Sequence, residues 1–318
     1  MSILPLVNLS EDGEPDQIRQ VSEDVALHIR QESALLFNLE QFFSPAPAQL
    51  YMEGESSTSW ERIKRITMLY ADARVDDVDM YMLSACVEAI ASFQRARRSL
   101  CRAHAYAIGV LSDATGLTFV ANVTDTHKPS ADELKHLRDH SVSEAVDTFW
   151  EHMETSFIRF ASYWDRVGQV LDFAFFSIRQ YEREGFPAVL DRMRANTMRV
   201  DVALEASESW KALWGFKASQ SENGLQWLLA RRNMLVHSLH LRDIDFSRAP
   251  VFDELYNHLD EKRRRALATG SPAEELLRAH THLATAANLW PHVLALCEYQ
   301  GKKQYNGIIP PSMWDELL

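Results

Sequence analysis

The chain has little that could cross-link it, hold a metal or anchor it in a membrane. It contains only 3 cysteines. Cys86, Cys101 and Cys297 are odd in number and lack any paired metal-ligand spacing, so neither a disulfide framework nor a cysteine metal site is expected. Cys86 and Cys101 sit in helical apolar patterns and read as inert core thiols. Long hydrophobic runs are missing: Val170-Leu171-Asp172-Phe173-Ala174-Phe175-Phe176 is typical of the longest, far short of the roughly 20 residues that span a bilayer. No membrane association is expected. A basic segment followed by an apolar core is missing from the N-terminus, which points to a reduced, cytoplasmic protein. There is no fixed-period repeat, no low-complexity stretch and no glycine-rich phosphate loop, which disfavours nucleotide-triphosphate chemistry. Positive charge is also scarce, with 33 Lys and Arg against 45 Asp and Glu and a net charge of −12. That balance argues against a surface that broadly coats nucleic acid, while leaving room for a local basic cleft. Most of the negative excess lies before residue 60, as in Glu11-Asp12-Gly13-Glu14-Pro15-Asp16. It reads as a solubilising leader or as an acidic arm shielding a basic cleft.

What remains is helical. Hydrophobic residues make up 46% of the 318, enough for a substantial core. The 11 glycines and 11 prolines collect at breaks between apolar-periodic segments, so the fold class is all-α. A first helix is expected over Asp16 to Phe43, stopped by Ser44-Pro45-Ala46-Pro47. The capping-box pattern Thr58-Ser59-Trp60-Glu61 opens a second, since hydroxyl and carboxylate there satisfy free amide groups. A long helix follows over Val78 to Leu111. Residues 113 to 128, rich in threonine, valine and glycine, break the pattern as a hairpin or ordered loop. A second capping box, Ser130-Ala131-Asp132-Glu133, opens a long stretch reaching Glu184 before Gly185-Phe186-Pro187. Further helices are expected from Pro187, from about Glu205, from Asn223, from about Val251, and from Ser271-Pro272 to Tyr299, where proline after serine suits a helix start. The implied division is an N-terminal helical region, 1–128, and a second helical domain, 129–318. Gly307 to Trp314 is apolar and expected to dock on the body of the protein or on a partner.

The most distinctive segment is Arg231-Arg232-Asn233-Met234-Leu235-Val236-His237. On a helix at about 100° per residue, Leu225, Leu228, Leu229, Leu235, Val236 and Leu239 fall in one apolar sector with Arg232 inside it. A buried guanidinium is costly, so Arg232 must find a carboxylate or line a cavity that takes an anion. Asn233 and His237 are four apart and share a face, with His240 nearby. Spacing alone is not distinctive, because Arg97 and Arg98 with His104 nearly repeat it. The polar Asn233 directly after Arg232 and the surrounding apolar residues set this segment apart.

Arg232-Asn233-Met234-Leu235-Val236-His237 resembles the Arg-(Asn, Asp or His)-x3-His signature of the HEPN superfamily of helical ribonucleases and toxins. A softer resemblance extends over residues 130 to 300, where Ser162-Tyr163-Trp164-Asp165-Arg166 opens a long apolar helix of the kind these domains place before the motif helix; residues 1–125 carry no such likeness. The resemblance implies a HEPN-type helical bundle and a homodimer whose two motifs face one composite active site. It implies cleavage of RNA without metal or any other cofactor. In that reading His237 takes the proton of a ribose 2′-hydroxyl, since imidazole changes charge near neutral pH. Arg232 holds the scissile phosphate, Asn233 orients His237 or the phosphate, Arg231 and His240 are phosphate neighbours, and Asp165 stands behind Arg232. The products would carry 2′,3′-cyclic phosphate and 5′-hydroxyl ends. A toxin or antiphage effector, held by an antitoxin or regulatory protein, is the biological role so implied.

The competing expectation is structural: Arg232 pairs with a carboxylate such as Asp165 or Asp172, and His237 packs within the bundle. Two other function classes follow, a helical RNA-binding or protein-interaction module without catalysis and an all-α scaffold using residues 1–125. His136 and His140 are four apart and share a face but have no third ligand at supporting spacing; His280 and His282 are two apart and point differently. Asp76, Asp77 and Asp79 suit a helix start. Basic residues concentrate at Arg95, Arg97, Arg98 and Arg102, at Arg231, Arg232 and Arg242, and at Lys262-Arg263-Arg264-Arg265, each a local anion surface or a solvated helix face.

Overall fold

The computed structural model describes residues 58–71, 79–111, 131–176, 185–198, 201–237 and 270–305. All fall within one unit, Ser44–Leu318, and the described residues form eight α-helices and no strand. The expected helices at Asp16–Phe43 and from Val251, the loop at 113–128 and the 307–314 segment lie outside the described residues.

Helix α1 (Thr58–Ala71) begins at the expected capping box and buries Ile63, Ile66, Leu69 and Tyr70. Helix α2 (Asp79–Leu111) turns a face of Met82, Cys86, Ala89, Phe93, Ala96 and Leu100 inward. Helix α3 (Ala131–Phe176) is the central element, packing on α2 and on three later helices. The ring pairs Phe93–Tyr163 at 5.7 Å and Tyr106–His152 at 5.8 Å show α2 and α3 running antiparallel. These helices lie on opposite sides of the expected 128/129 division, and their buried side chains belong to one core.

Gly185 takes φ +69, which glycine adopts without steric cost, and opens α4 (Gly185–Arg192), whose chain continues into a π-helical turn, Met193–Met198. A Cβ on Gly168 of α3 would lie 2.8 Å from the Phe186 backbone, so only glycine lets α4 approach this closely. Where one helix was expected from about Glu205, two occur. Asp201 caps α5 (Val202–Ala206), and Ser207 caps α6 (Glu208–Ala218) by accepting from Trp210 N. Ser207 breaks the run because its hydroxyl satisfies the free amide of a new first turn. Helix α7 (Leu225–His237) carries the arginine motif. Helix α8 (Pro272–Tyr305) starts at the expected serine–proline pair, with Ser271 N donating to Glu274 Oε2 at 2.7 Å.

The core is aromatic where α3 meets its neighbours. Trp164 is buried against Phe186 of α4 at 5.0 Å and Phe216 of α6 at 4.5 Å; such pairs add about 0.5–1.5 kcal/mol each beyond area burial. Tyr70 of α1 donates to the Cys297 carbonyl of α8 at 2.8 Å, and Arg62 pairs with Glu298 at 3.0 Å. All three cysteines are buried, and burial pushes the Cys86 thiol up to about 12, which keeps it unreactive. No helix among the described residues is long and apolar enough to cross a membrane.

Candidate functional site around the arginine pair of α7

The face that α7 buries is centred one residue away from the expected one. Leu225, Trp227, Leu228, Arg231 and Met234 are buried, whereas Leu229 and Leu235 are partly buried and Val236 is 49% exposed. Trp227 and Met234 lie at i and i+7 and outweigh the scattered leucines, because they carry large contact area on one line of the helix. Arg231 lies between them on that line.

The expectation of a buried Arg232 is therefore corrected: Arg231 is the interior arginine, 0% exposed. Its Nη2 donates to Glu275 Oε2 at 2.7 Å, from α7 to α8, and its guanidinium lies over Phe157 and Trp227 at 5.4 and 5.3 Å. Burial in this aromatic wall lowers the Arg231 pKa, with Glu275 pulling in the opposite direction. Glu275, itself 0% exposed, also accepts from Arg278 Nη1 at 2.6 Å and the Gly270 amide at 2.9 Å. Its oxygens are thus satisfied, which a buried carboxylate requires. Arg278 continues outward to Glu222 at 2.9 Å. Alongside, His282 stacks on Trp227 with 13° between the rings and donates from Nε2 to the Glu222 carbonyl at 2.9 Å. Its burial holds the imidazole pKa down to about 4. Arg231 therefore occupies an interior structural position, not that of a phosphate neighbour.

Arg232, half-buried on the adjoining face, donates from Nη1 to Asn233 Oδ1 at 3.0 Å, and Asn233 is exposed. Asp165 of α3 is close enough to feel its charge. Burial raises the Asp165 carboxyl above its ordinary value, and Arg232 and Arg166 act against that rise. Asp165 is seated beside Gly185, where a Cβ would meet Oδ1 at 2.7 Å. Asp172, the other expected partner, pairs instead with Arg192 at 2.7 Å. The structure thus joins Arg232 to Asn233, leaves Asp165 within reach of the Arg232 charge, and takes Arg231 away from them. His237 is the last residue of α7, four after Asn233; its side chain, His240 and Arg242 lie outside the described residues, as do the side chains of His136 and His140 and residues 262–265.

Glu275, Arg278, Glu222 and His282 form the polar network behind the motif, and the sequence reading did not single out Glu275, Arg278 or Glu222. Glu275 reads locally as an acid that complements a helix N-terminus. Including Trp227 and Met234 in the periodicity would have placed Arg231 inward and called for its carboxylate. Among the described residues no group of three or more His, Cys, Asp and Glu side chains could hold a metal. Comparisons with known protein families, curated proteins and solved structures found no match.

Proposed function

We propose that this protein is a metal-independent endoribonuclease of HEPN type, acting through Arg232, Asn233 and His237. The observation that carries the reading is the division of labour in the arginine pair. Arg231 is the interior arginine, paired with Glu275, and Arg232 stays half-buried beside Asn233 with Asp165 in electrostatic reach. A forked, permanently charged guanidinium at a solvent-accessible edge suits a phosphate, whose developing charge it would stabilise during transfer.

In this mechanism Arg232 binds the scissile phosphate and Asn233 fixes its guanidinium. His237 accepts the proton of the ribose 2′-hydroxyl as that oxygen attacks the adjacent phosphorus. The P–O5′ bond breaks and the departing 5′-oxygen takes up a proton from water, leaving a 2′,3′-cyclic phosphate and a 5′-hydroxyl; His237 then returns its proton to solvent. Asp165 acts as a positioning residue that holds Arg232 over the cleft. The resemblance adds a homodimer with a composite site, a cytoplasmic toxin or antiphage role, and an antitoxin or regulatory partner. The test is incubation of full-length protein and a folded His237→Ala variant with total RNA in EDTA, followed by mapping of fragment ends. Cleavage by the wild type alone, leaving cyclic phosphates, supports the reading. Absence of cleavage with RNA affinity retained favours a binding module instead.

A further inference from the structure

A second cationic surface lies on α2 and α3. Arg95, Arg98 and Arg102 are spaced i, i+3 and i+7 and so share one face of α2; Arg95 and Arg98 are exposed and Arg102 is half-buried. Arg159 of α3 faces them. Its Nη1 donates to the Arg95 carbonyl at 3.0 Å and to Ser99 Oγ at 2.7 Å, and Ser99 in turn donates to the same carbonyl at 3.2 Å. The Arg159 guanidinium is therefore held in place from α2, within reach of the positive charges of Arg102, Arg95 and Arg98, which together with burial lower its pKa.

Several cations elsewhere pair with carboxylates: Lys217 with Asp191, Arg278 with Glu222, Lys302 with Glu298 and Lys303 with Asp201. Among the described residues none forms an ion pair with Arg95, Arg98 or Arg159. Like charges one turn apart oppose helix formation, and in a chain of net charge −12 neutralising acids are plentiful. Arg95, Arg98 and Arg159, lacking such a partner among the described residues, are suited to an external anion carrying several charges in a row.

The surface leads somewhere. Along α3, Ser162 is exposed between Arg159 and Asp165, and Arg166 is exposed one residue beyond Asp165, which is in electrostatic reach of Arg232. Six residues separate Arg159 from Asp165, about 9 Å of helix axis at about 1.5 Å per residue. Over residues 81–106 of α2 and 145–176 of α3, Val87 is the only large apolar side chain that is exposed. A protein interface commonly sets aromatic anchors beside its arginines, and a helix lying in a bilayer surface adds apolar insertion to its charge; a phosphate strand asks for the arginines alone.

We propose that the face of α2 and α3 bearing Arg95, Arg98, Arg102 and Arg159 binds the phosphate backbone of an RNA strand and leads it across Ser162 and Arg166 to Arg232. Naming RNA rests on the nuclease reading above; a surface for a phosphate strand rests on the arginine geometry.

The experiment measures affinity of the full chain for a fluorescent single-stranded 2′-O-methyl RNA, which lacks the attacking hydroxyl, as salt is raised from about 50 to about 200 mM. Each phosphate contact to a single strand contributes about 0.7 to the slope of log K against log salt, so Arg95→Gln/Arg98→Gln should flatten the slope by about 1.4 and weaken binding. Lys211→Gln, at an exposed position of α6, should match the wild type. Unchanged slope and affinity in the double variant would overturn the proposal, as would binding by the same arginines to phosphatidylserine vesicles with none to RNA. Flattening of the slope in a protein that leaves unmodified RNA uncut would sustain this surface while removing the nuclease reading. Cutting of RNA with an unaltered slope would do the reverse.

Discussion

Methionine at 231 and methionine at 232 are the same chemical change on neighbouring residues, yet they should differ in cost by a factor of several. Arg231 and Glu275 are both 0% exposed and 2.7 Å apart. Removing one partner of a buried pair costs about 3–5 kcal/mol, because the other charge is stranded. The two partners are not equivalent here. After Arg231→Met, Glu275 keeps Arg278 at 2.6 Å and the Gly270 amide at 2.9 Å, so the loss should fall at the lower end, about 3 kcal/mol. After Glu275→Leu, the Arg231 guanidinium remains enclosed by Phe157 and Trp227 with Arg278 nearby, so the loss should approach about 4–5 kcal/mol. The double variant should cost less than the sum by about 1–3 kcal/mol. Arg232→Met, at a half-exposed position hydrogen-bonded to exposed Asn233, should stay within about 0.5 kcal/mol of wild type. Urea unfolding followed by tryptophan fluorescence measures all four through linear extrapolation. If Arg231→Met were neutral and Arg232→Met costly, the inward face of α7 would be the one centred on Arg232, and the account of the network would fail.

Two further outcomes follow from the same packing. His280 and His282 titrate near 4 in the folded protein against an ordinary 6.5, so between those values the unfolded chain binds protons the folded one refuses. Stability should be complete above about pH 6.5 and fall toward pH 4, by at most about 1.4 kcal/mol per pH unit per histidine. His282→Phe, which keeps a ring against Trp227, should make the profile shallower in denaturant titrations across that range; parallel profiles would contradict a neutral buried His282. Gly185→Ala should cost about 1–3 kcal/mol, combining the strain of a left-handed φ of +69 with a Cβ that meets Asp165 Oδ1. An unchanged melting curve for that variant would refute the close approach.

Helix starts were the most legible part of the sequence, because capping is local chemistry. The Thr58 box, the Ser130 box and Ser271-Pro272 each precede a helix where expected. Ser207 was not legible as a break, since a serine inside an apolar run caps only when the chain bends away there. The motif segment was placed on a helix correctly, but its rotation was one residue off. Leucines at 229 and 235 counted as core while Trp227 and Met234 went uncounted, and the choice of inward arginine follows from that. Glu275 pairs with Arg231 across 44 residues, a distance at which no periodicity in sequence reports contact. Asp165 and Asp172 were equal candidates for Arg232 in sequence, seven apart on one helix; Arg192 takes Asp172, a contact that no local pattern announces.

The Arg231–Glu275 bond is also a rotational lock. A helix can roll about its axis within a bundle at little expense when its buried side chains are all aliphatic and nearly interchangeable. A single ion pair inside the seam removes that freedom, since a roll of one position would drive Arg232 into the wall and strand Glu275. The angle at which Arg232 and Asn233 present themselves is therefore set from α8, and substitutions at residue 275 should alter what the motif can grip although they lie on a different helix.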